Sequence, residues 1–458
     1  MVSNMKTNLR PWRTSIVLIA LIGLIGCGPT QTAIPATPIP ITATPAAAEA
    51  TQPPTAEQVT PTPAPTATAV PTGTPIPFSE EAASIEYVLP PVIQHVTQNR
   101  AEIFFELPTP HEGVVAARVQ GESAGNSVVV PFATDEVRQQ IALENLIPDT
   151  TYEVRIGVDE TGSGVYEPVN YAGEAWGPLT VTTLPEDGHV RVGVLGDSGF
   201  GGEVTYDLAA RLAQEDIDFA IHTGDTVYKI GDNADPFEAF QLKWYLPLKP
   251  LLTRLPVYPV VGNHDVEAAA QWEGQPFYYR AFPAFTDPDF VASDNDGENQ
   301  WYAFAVGKVQ FVMLDSQTFF GESGHDAQEE WLAGRLADDR FDHTIVTFHV
   351  APYTSSRHRF DGQAAQFFWI PQFEASNVRL VLSGHSHNYE RLTYNGITYI
   401  VSGGGSEVLY PLQAELPFSE TFTAVTHYVL LDVGPDQIGI RAVNVTGDVI
   451  DESVIQLP

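Results

Sequence analysis

The sequence predicts an α/β domain built on sheets, preceded by a small all-β module and a long N-terminal stretch that belongs to neither. Three observations lead there. From residue 189 onward, apolar β-branched runs alternate with helical patterns, as strands and helices packed in layers require. From about 84 to 185, short strands are separated by turn residues with no helical period between them. Residues 28–77 hold 13 Pro, 13 Thr and 11 Ala with only Glu49 and Glu57 charged, a composition that cannot form a core.

Composition narrows the function classes. The chain of 458 residues is long enough for two or three domains. Its 57 Asp+Glu against 22 Lys+Arg give a net charge of −35, which excludes nucleic-acid binding through the bulk field, since that binding neutralises phosphates with Lys and Arg. Cys27 is the one cysteine, so a disulfide framework within the chain and any zinc site of several thiolates are excluded. A metal here must be held by His, Asp, Glu, Asn or Tyr.

Taken in order, the elements begin with an address. Lys6, Arg10 and Arg13 precede an apolar run from Ile16 to Ile25, a positive segment and a hydrophobic segment too short for a comfortable membrane span. The run ends in Leu24-Ile25-Gly26-Cys27, which resembles the lipobox of bacterial lipoproteins. The resemblance implies that residues 1–26 are a removed signal peptide. It also implies that Cys27 is diacylated and that the protein is exported and anchored at the cell surface by lipid alone. Residues 27–83 then read as the lipidated cysteine and a semi-rigid spacer, which at ~3.1 Å per residue could reach on the order of 150 Å.

In the module at 84–185, the candidate strands are Ala101–Phe105, Ser127–Val130, Tyr152–Ile156 and Leu179–Thr183. The run Leu143 to Tyr152 resembles the corner of fibronectin type III domains that a tyrosine hydroxyl pins, and Val181 to Pro185 resembles that family's last strand. A spacer or docking module without chemistry is the reading.

In the domain at 186–458, strands are predicted at 189–195, 219–221, 257–261, 309–314, 344–348, 378–382 and 397–401. Helices are predicted over 203–216, with Val204, Leu208 and Leu212 on one face, and from Asp326. Tyr428–Asp432 and Ile438–Val443 form a hairpin turning at Gly434-Pro435-Asp436.

Polar residues follow nearly every apolar strand: Gly196-Asp197-Ser198-Gly199, Gly224-Asp225-Thr226-Val227-Tyr228, Gly262-Asn263-His264-Asp265, His349, and Gly384-His385-Ser386-His387. In α/β sheets ligands sit at the carboxyl ends of strands. Five such insertions converge there, with glycines letting the backbone approach closely. Carboxylates, imidazoles, an amide oxygen and a phenol suit hard or borderline metal ions. His385 and His387 would face one side on a strand, or serve neighbouring ions in a loop.

In this order the motifs resemble those of the purple acid phosphatases, a branch of the calcineurin-like metallophosphoesterases. Leu314-Asp315-Ser316, Gln328 to Leu332 and Asn388 to Arg391 add to the match, which covers about 85–458. The resemblance implies a metallophosphoesterase α/β (α+β) fold of two packed mixed β-sheets flanked by helices, behind a fibronectin-like sandwich. It implies a first ion, Fe(III), on Asp197, Asp225, Tyr228 and His387. A second ion, divalent Fe, Zn or Mn, would sit on Asp225, Asn263, His349 and His385, with Asp225 bridging. Gly199 stands where most relatives outside this branch have a histidine, and Tyr228 is available in its place. The implied activity is acid-phosphatase-type hydrolysis of small phosphate monoesters by a hydroxide bridging the ions. The ions and this hydroxide would leave the site at about +1 in a very acidic chain.

His264 and His358 are the implied phosphate-binding and proton-donating residues. Arg357 and Arg359 read as solvated surface arginines, with help in phosphate binding as the alternative. A phosphodiesterase or nucleotidase on the same scaffold is the alternative enzyme, and a binding protein with an inert metal domain is the alternative class. The sequence leaves the oligomeric state open. His222 is assigned a local hydrogen bond, and Asp294 to Glu298 an acidic surface turn.

Overall fold

The computed structural model describes residues 76–122, 127–132, 135–282, 291–292, 301–320 and 325–458. The segments read above as a signal peptide with Cys27, as a spacer up to residue 75 and as an acidic turn at 294–298 lie outside the described residues. Among the described residues no helix is long and apolar enough to cross a membrane.

Alternating patterns in the first module become two antiparallel sheets. One joins Leu89–Gln94, Arg100–Glu106 and Arg138–Glu144. The other joins Ser127–Phe132, Gly113–Val119, Thr151–Val158 and Leu179–Thr182. Ile103, Phe105, Ile141, Val115, Val154 and Val181 place side chains from both sheets in one core. At the corner before Thr151–Val158 the Ile147 backbone N–H donates to the Tyr152 Oη at 2.7 Å, with the Tyr152 ring buried. Asn145 and Asp149 turn the chain there with φ of 59° and 48°, which their short polar side chains tolerate.

The module is bonded to the second part of the chain. Val96 N–H donates to Tyr258 Oη at 3.2 Å, and Thr180 N–H to the Thr253 carbonyl at 2.9 Å. The buried Glu106 carboxylate takes the Arg280 guanidinium at 2.5 Å. A buried carboxylate without such a partner would be costly, so this pair ties the two parts together.

The second part is an α/β fold with two mixed sheets. Val190–Leu195, Phe219–His222 and Val257–Pro259 run parallel, so their carboxyl ends align. The hairpin of His427–Val433 and Gln437–Asn444 pairs antiparallel against Val190–Leu195, with Val449–Gln456 as the edge. This makes six strands. The eight-stranded sheet has Val309–Met313, His343–Val350, Val378–Gly384 and Ile397–Ser402 parallel at its centre, with antiparallel strands outside. The parallel strands are buried on both faces, as their continuous apolar runs require.

The predicted strands are present, with small shifts at the ends. The helix predicted over 203–216 stops sooner, spanning Glu203–Leu212. Gln214 and Glu215 N–H tighten onto the carbonyls of Arg211 and Leu212, and the chain turns toward Phe219. A helical run through Pro236–Phe240, Gln241–Tyr245 and Leu246–Leu252 has no counterpart among the predicted elements. It starts with Asp235 accepting from the Glu238 N–H at 2.9 Å and contains a wider turn.

Replacing Tyr152 by Phe removes the acceptor of the Ile147 N–H and nothing else. Urea denaturation should show a loss of about 1 kcal/mol, the net worth of one such bond, with metal content unchanged. An unaltered midpoint would show that the corner bond is energetically idle.

Candidate metal centre

The site forms where the carboxyl ends of the two sheets meet. Thr223, one residue beyond Phe219–His222, sends its carbonyl to the His349 Nδ1 at 2.8 Å. Asp197, two residues beyond Val190–Leu195, receives the His385 N–H at 3.1 Å on each carboxylate oxygen. Asp197, Asp225 and His385 have φ of 58°, 56° and 66°, a left-handed turn at each loop that aims the side chain back over the strand ends.

Two clusters of donors result. In the first, Tyr228 Oη lies 3.1 Å from Asp197 Oδ1 and 3.0 Å from His387 Nε2, and His387 Nε2 lies 3.4 Å from Asp197 Oδ1. In the second, His349 Nε2 lies 3.4 Å from Asp225 Oδ1, 3.1 Å from Asn263 Oδ1 and 3.2 Å from His385 Nδ1. The Asp225 carboxylate also reaches Tyr228, so it faces both clusters. All seven residues singled out as ligands are thus brought together. His385 and His387 sit in a loop and face different clusters, the second of the two arrangements their spacing allowed.

The histidines are aimed by what lies behind them. His349 Nδ1 donates to the Thr223 carbonyl, and His387 Nδ1 to the Val408 carbonyl at 2.6 Å. His385 Nε2 donates to Asp361 Oδ2 at 3.1 Å. With each outer nitrogen holding a proton on its acceptor, each inner nitrogen is left facing the cluster, where a cation would take its lone pair. Metal-binding imidazoles are held this way. The donor set therefore fits two cations.

Electrostatics say the same. Asp197 and Asp225 are 0% and 1% exposed. Burial works against the Asp225 charge, yet His349 and His264 hold its carboxyl below the usual range. Burial likewise opposes charge on His349, but Asp225 and Asp197 raise it to about 9. A proton there does part of the work of a cation, and metal binding would displace it. Burial, then the Asp197 and Asp225 charges, hold the Tyr228 phenol well above its ordinary pKa, so only a cation at its oxygen would ionise it.

His264 and His358 flank the clusters. The His264 ring packs edge-on to Tyr228 at 4.6 Å, and its side chain pairs with Glu267. The His358 ring lies 4.2 Å from the His385 ring, and its Nδ1 donates to Asp361 Oδ2 at 2.8 Å. His222 makes the expected local bond, to Ser198 Oγ at 2.9 Å.

Sequence reasoning missed Asp361 and gave Asp265 no role. Asp361 joins His358 to His385, and its place three residues after His358 was the available signal. Asp265 accepts from Gly262 N–H at 2.8 Å, Asp225 N–H at 3.1 Å, Thr226 N–H at 3.0 Å and Thr226 Oγ1 at 2.6 Å. It therefore fixes the loop that carries Asp225. Burial, and then Asp225, push its carboxyl up to about 7.

The motif glycines make room for ligands from other motifs. A Cβ on Gly262 would lie 2.2 Å from Asp225 Oδ1, and one on Gly384 2.4 Å from Asp197 Oδ2. Gly384→Ala should therefore displace Asp197, lower the metal content per chain and cost about 1–3 kcal/mol. Gly334→Ala, in an exposed helical position with open space around its Cβ, should keep its metal and gain up to ~1 kcal/mol. Elemental analysis and denaturation of the two variants check this, and full metal loading of Gly384→Ala would contradict it.

Known proteins resemble this chain in sequence and fold. Residues 190–389 match the family model for the calcineurin-like phosphoesterases. Purple acid phosphatase 23 of Arabidopsis thaliana is 25% identical over 309 residues, 60% of this chain and 64% of that protein. The chain thus spans less than two thirds of that relative's length. The solved purple acid phosphatase PPD1 of yellow lupin seeds superposes with a TM-score of 0.63 at 17% identity, covering 80% of this chain and 74% of that one. PhoD superposes with a TM-score of 0.56 at 14% identity, covering 82% and 90%. At these identities the two structures speak for the fold. With the family match and the superposed folds in agreement, residues 190–389 carry a calcineurin-like phosphoesterase domain.

Proposed function

We propose that the protein is a hydrolase of phosphate monoesters that works with two metal ions, of the acid phosphatase type. The observation that carries this is the Asp225 carboxylate facing two donor clusters, each lined by inward-facing imidazole nitrogens. Asp197, Asp225, Tyr228 and His387 would hold one ion, and Asp225, Asn263, His349 and His385 the other. The phenol favours Fe(III) in the first site, while two imidazoles with oxygen donors suit divalent Fe, Zn or Mn in the second. When bound, the ions supply an acidified water and two positive charges for the phosphoryl oxygens.

The chain's own residues do the rest. Asp265 holds the Asp225 loop through four hydrogen bonds. His264 stands at the mouth to bind phosphate. With its Nδ1 given to Asp361, His358 has Nε2 as the atom from which a proton passes to the leaving oxygen. His358→Ala should keep its metals and lose ~10²–10⁴-fold in rate. The test of the function is a panel of monoesters and diesters with metal content measured alongside. Fully loaded protein that leaves every monoester intact would overturn the reading.

Tyr228 tests the Fe(III) assignment by itself. A phenolate on Fe(III) absorbs visible light, so aerobically prepared, iron-loaded protein should be pink to violet and Tyr228→Phe colourless. A flat spectrum for verified iron-loaded wild type removes the phenolate from the coordination sphere.

We also propose that Cys27 is lipidated and tethers the exported protein to the membrane through the Pro/Thr/Ala-rich spacer. The lipobox-like Leu24-Ile25-Gly26-Cys27 supports this. Cys27→Ser should move the protein from the membrane fraction to the soluble one. A variant that stays with the membrane would rule this anchor out.

A further inference from the structure

Two of the candidate ligands of the first ion are backed by an aromatic ring, and each of those rings carries a cation. The Phe200 ring stacks on Tyr228 with centroids 4.4 Å apart, and Lys229 Nζ lies 5.6 Å from the Phe200 centroid. The Tyr410 ring stacks on His387 at 4.3 Å and within 9° of parallel, and the Arg357 guanidinium carbon lies 4.8 Å from the Tyr410 centroid. Both stacks are anchored by backbone bonds. Tyr410 N–H donates to the His387 carbonyl at 2.9 Å, and Ser386 Oγ donates to the Arg357 carbonyl at 2.9 Å. Lys243 Nζ donates to the carbonyls of Tyr228 and Lys229 at 2.8 and 3.1 Å.

Lys229 and Arg357 are exposed, and among the described residues neither is in an ion pair. Two acidic side chains nearby have other positions: Asp361 accepts from His358 and His385, and Glu407 lies over Gly202. Two cations left unpaired beside one buried cluster, each held by a ring rather than by an acid, are free to take an external anion.

We propose that Lys229 and Arg357 form an anion subsite that selects phosphoesters whose leaving group bears a second phosphoryl group. This rests on the hydrolase reading above, with the scissile phosphoryl group at the metal clusters. A guanidinium presents paired N–H donors to phosphate oxygens, and the ammonium adds a second charge. The rings fix where these cations stand, so the selection acts on the distance between the two phosphoryl groups as well as on charge.

The experiment compares two esters of one alcohol, glucose 6-phosphate and glucose 1,6-bisphosphate, on the metal-loaded full chain, reading phosphate release. Wild type should show kcat/KM at least tenfold higher for the bisphosphate, mostly through KM. The advantage should shrink as ionic strength rises, because the cations are exposed. In the Lys229→Ala, Arg357→Ala double variant the preference should fall about tenfold, while glucose 6-phosphate turnover changes less than threefold. The Lys308→Ala, Arg379→Ala double variant, the same loss of charge at the amino-terminal ends of two strands, should keep the preference. Equal losses on both esters in the Lys229→Ala, Arg357→Ala variant, or no preference in wild type, would overturn the subsite and leave the hydrolase reading standing. Absence of turnover of either ester by fully loaded protein would overturn both.

Discussion

Everything near the strand ends answers to the burial of two carboxylates, Asp197 and Asp225, in one crevice. Carboxylates out of water are costly unless paired and hydrogen-bonded. The chain supplies part of what they need. Asp197 receives the His385 N–H, and Asp225 the His264 N–H at 2.9 Å. The rest is left to cations, for which three imidazoles are turned inward by the Thr223 and Val408 carbonyls and the Asp361 carboxylate. Tyr228 is drawn into the same arrangement, as its hydroxyl meets both Asp197 and His387.

The fold serves this demand through register. Parallel pairing of Val190–Leu195, Phe219–His222 and Val257–Pro259 brings three polar loops to one level. Parallel pairing of His343–Val350 with Val378–Gly384 brings the remaining two opposite them. The loops then turn back through left-handed residues at Asp197, Asp225 and His385, each costing of order 1 kcal/mol that the buried sheets offset. Strain concentrated at these positions, with Gly262 and Gly384 giving way to ligands of neighbouring loops, is what a preformed site costs.

Much of this was legible in the sequence. Continuous apolar runs such as Val309–Met313 and Val378–Gly384 identify doubly buried strands, and the polar motif after each strand identifies the crevice. Other parts were not. The helical run at 236–252 carries Pro236, Pro247 and Pro250, which mask a helical pattern although Trp244 and Tyr245 are buried in it. The acceptors behind His349 and His387 are backbone carbonyls, which no side-chain motif can encode. Tyr410 stacks on His387 from a loop with no periodicity, and its role depends on how residues 408–410 fold around that ring. Asp265 stood inside a recognised motif, but its four donors come from two separate loops that only the folded chain unites.

In the proposed reading, metal loading puts a cation on either side of Asp225. Anomalous diffraction from crystals of the chain loaded with iron and zinc, recorded at both absorption edges, tests it most directly. Two peaks about 3.5–4 Å apart are expected on either side of the Asp225 carboxylate, iron beside Tyr228 and zinc beside Asn263. A single peak, or two peaks that do not share Asp225, would contradict it.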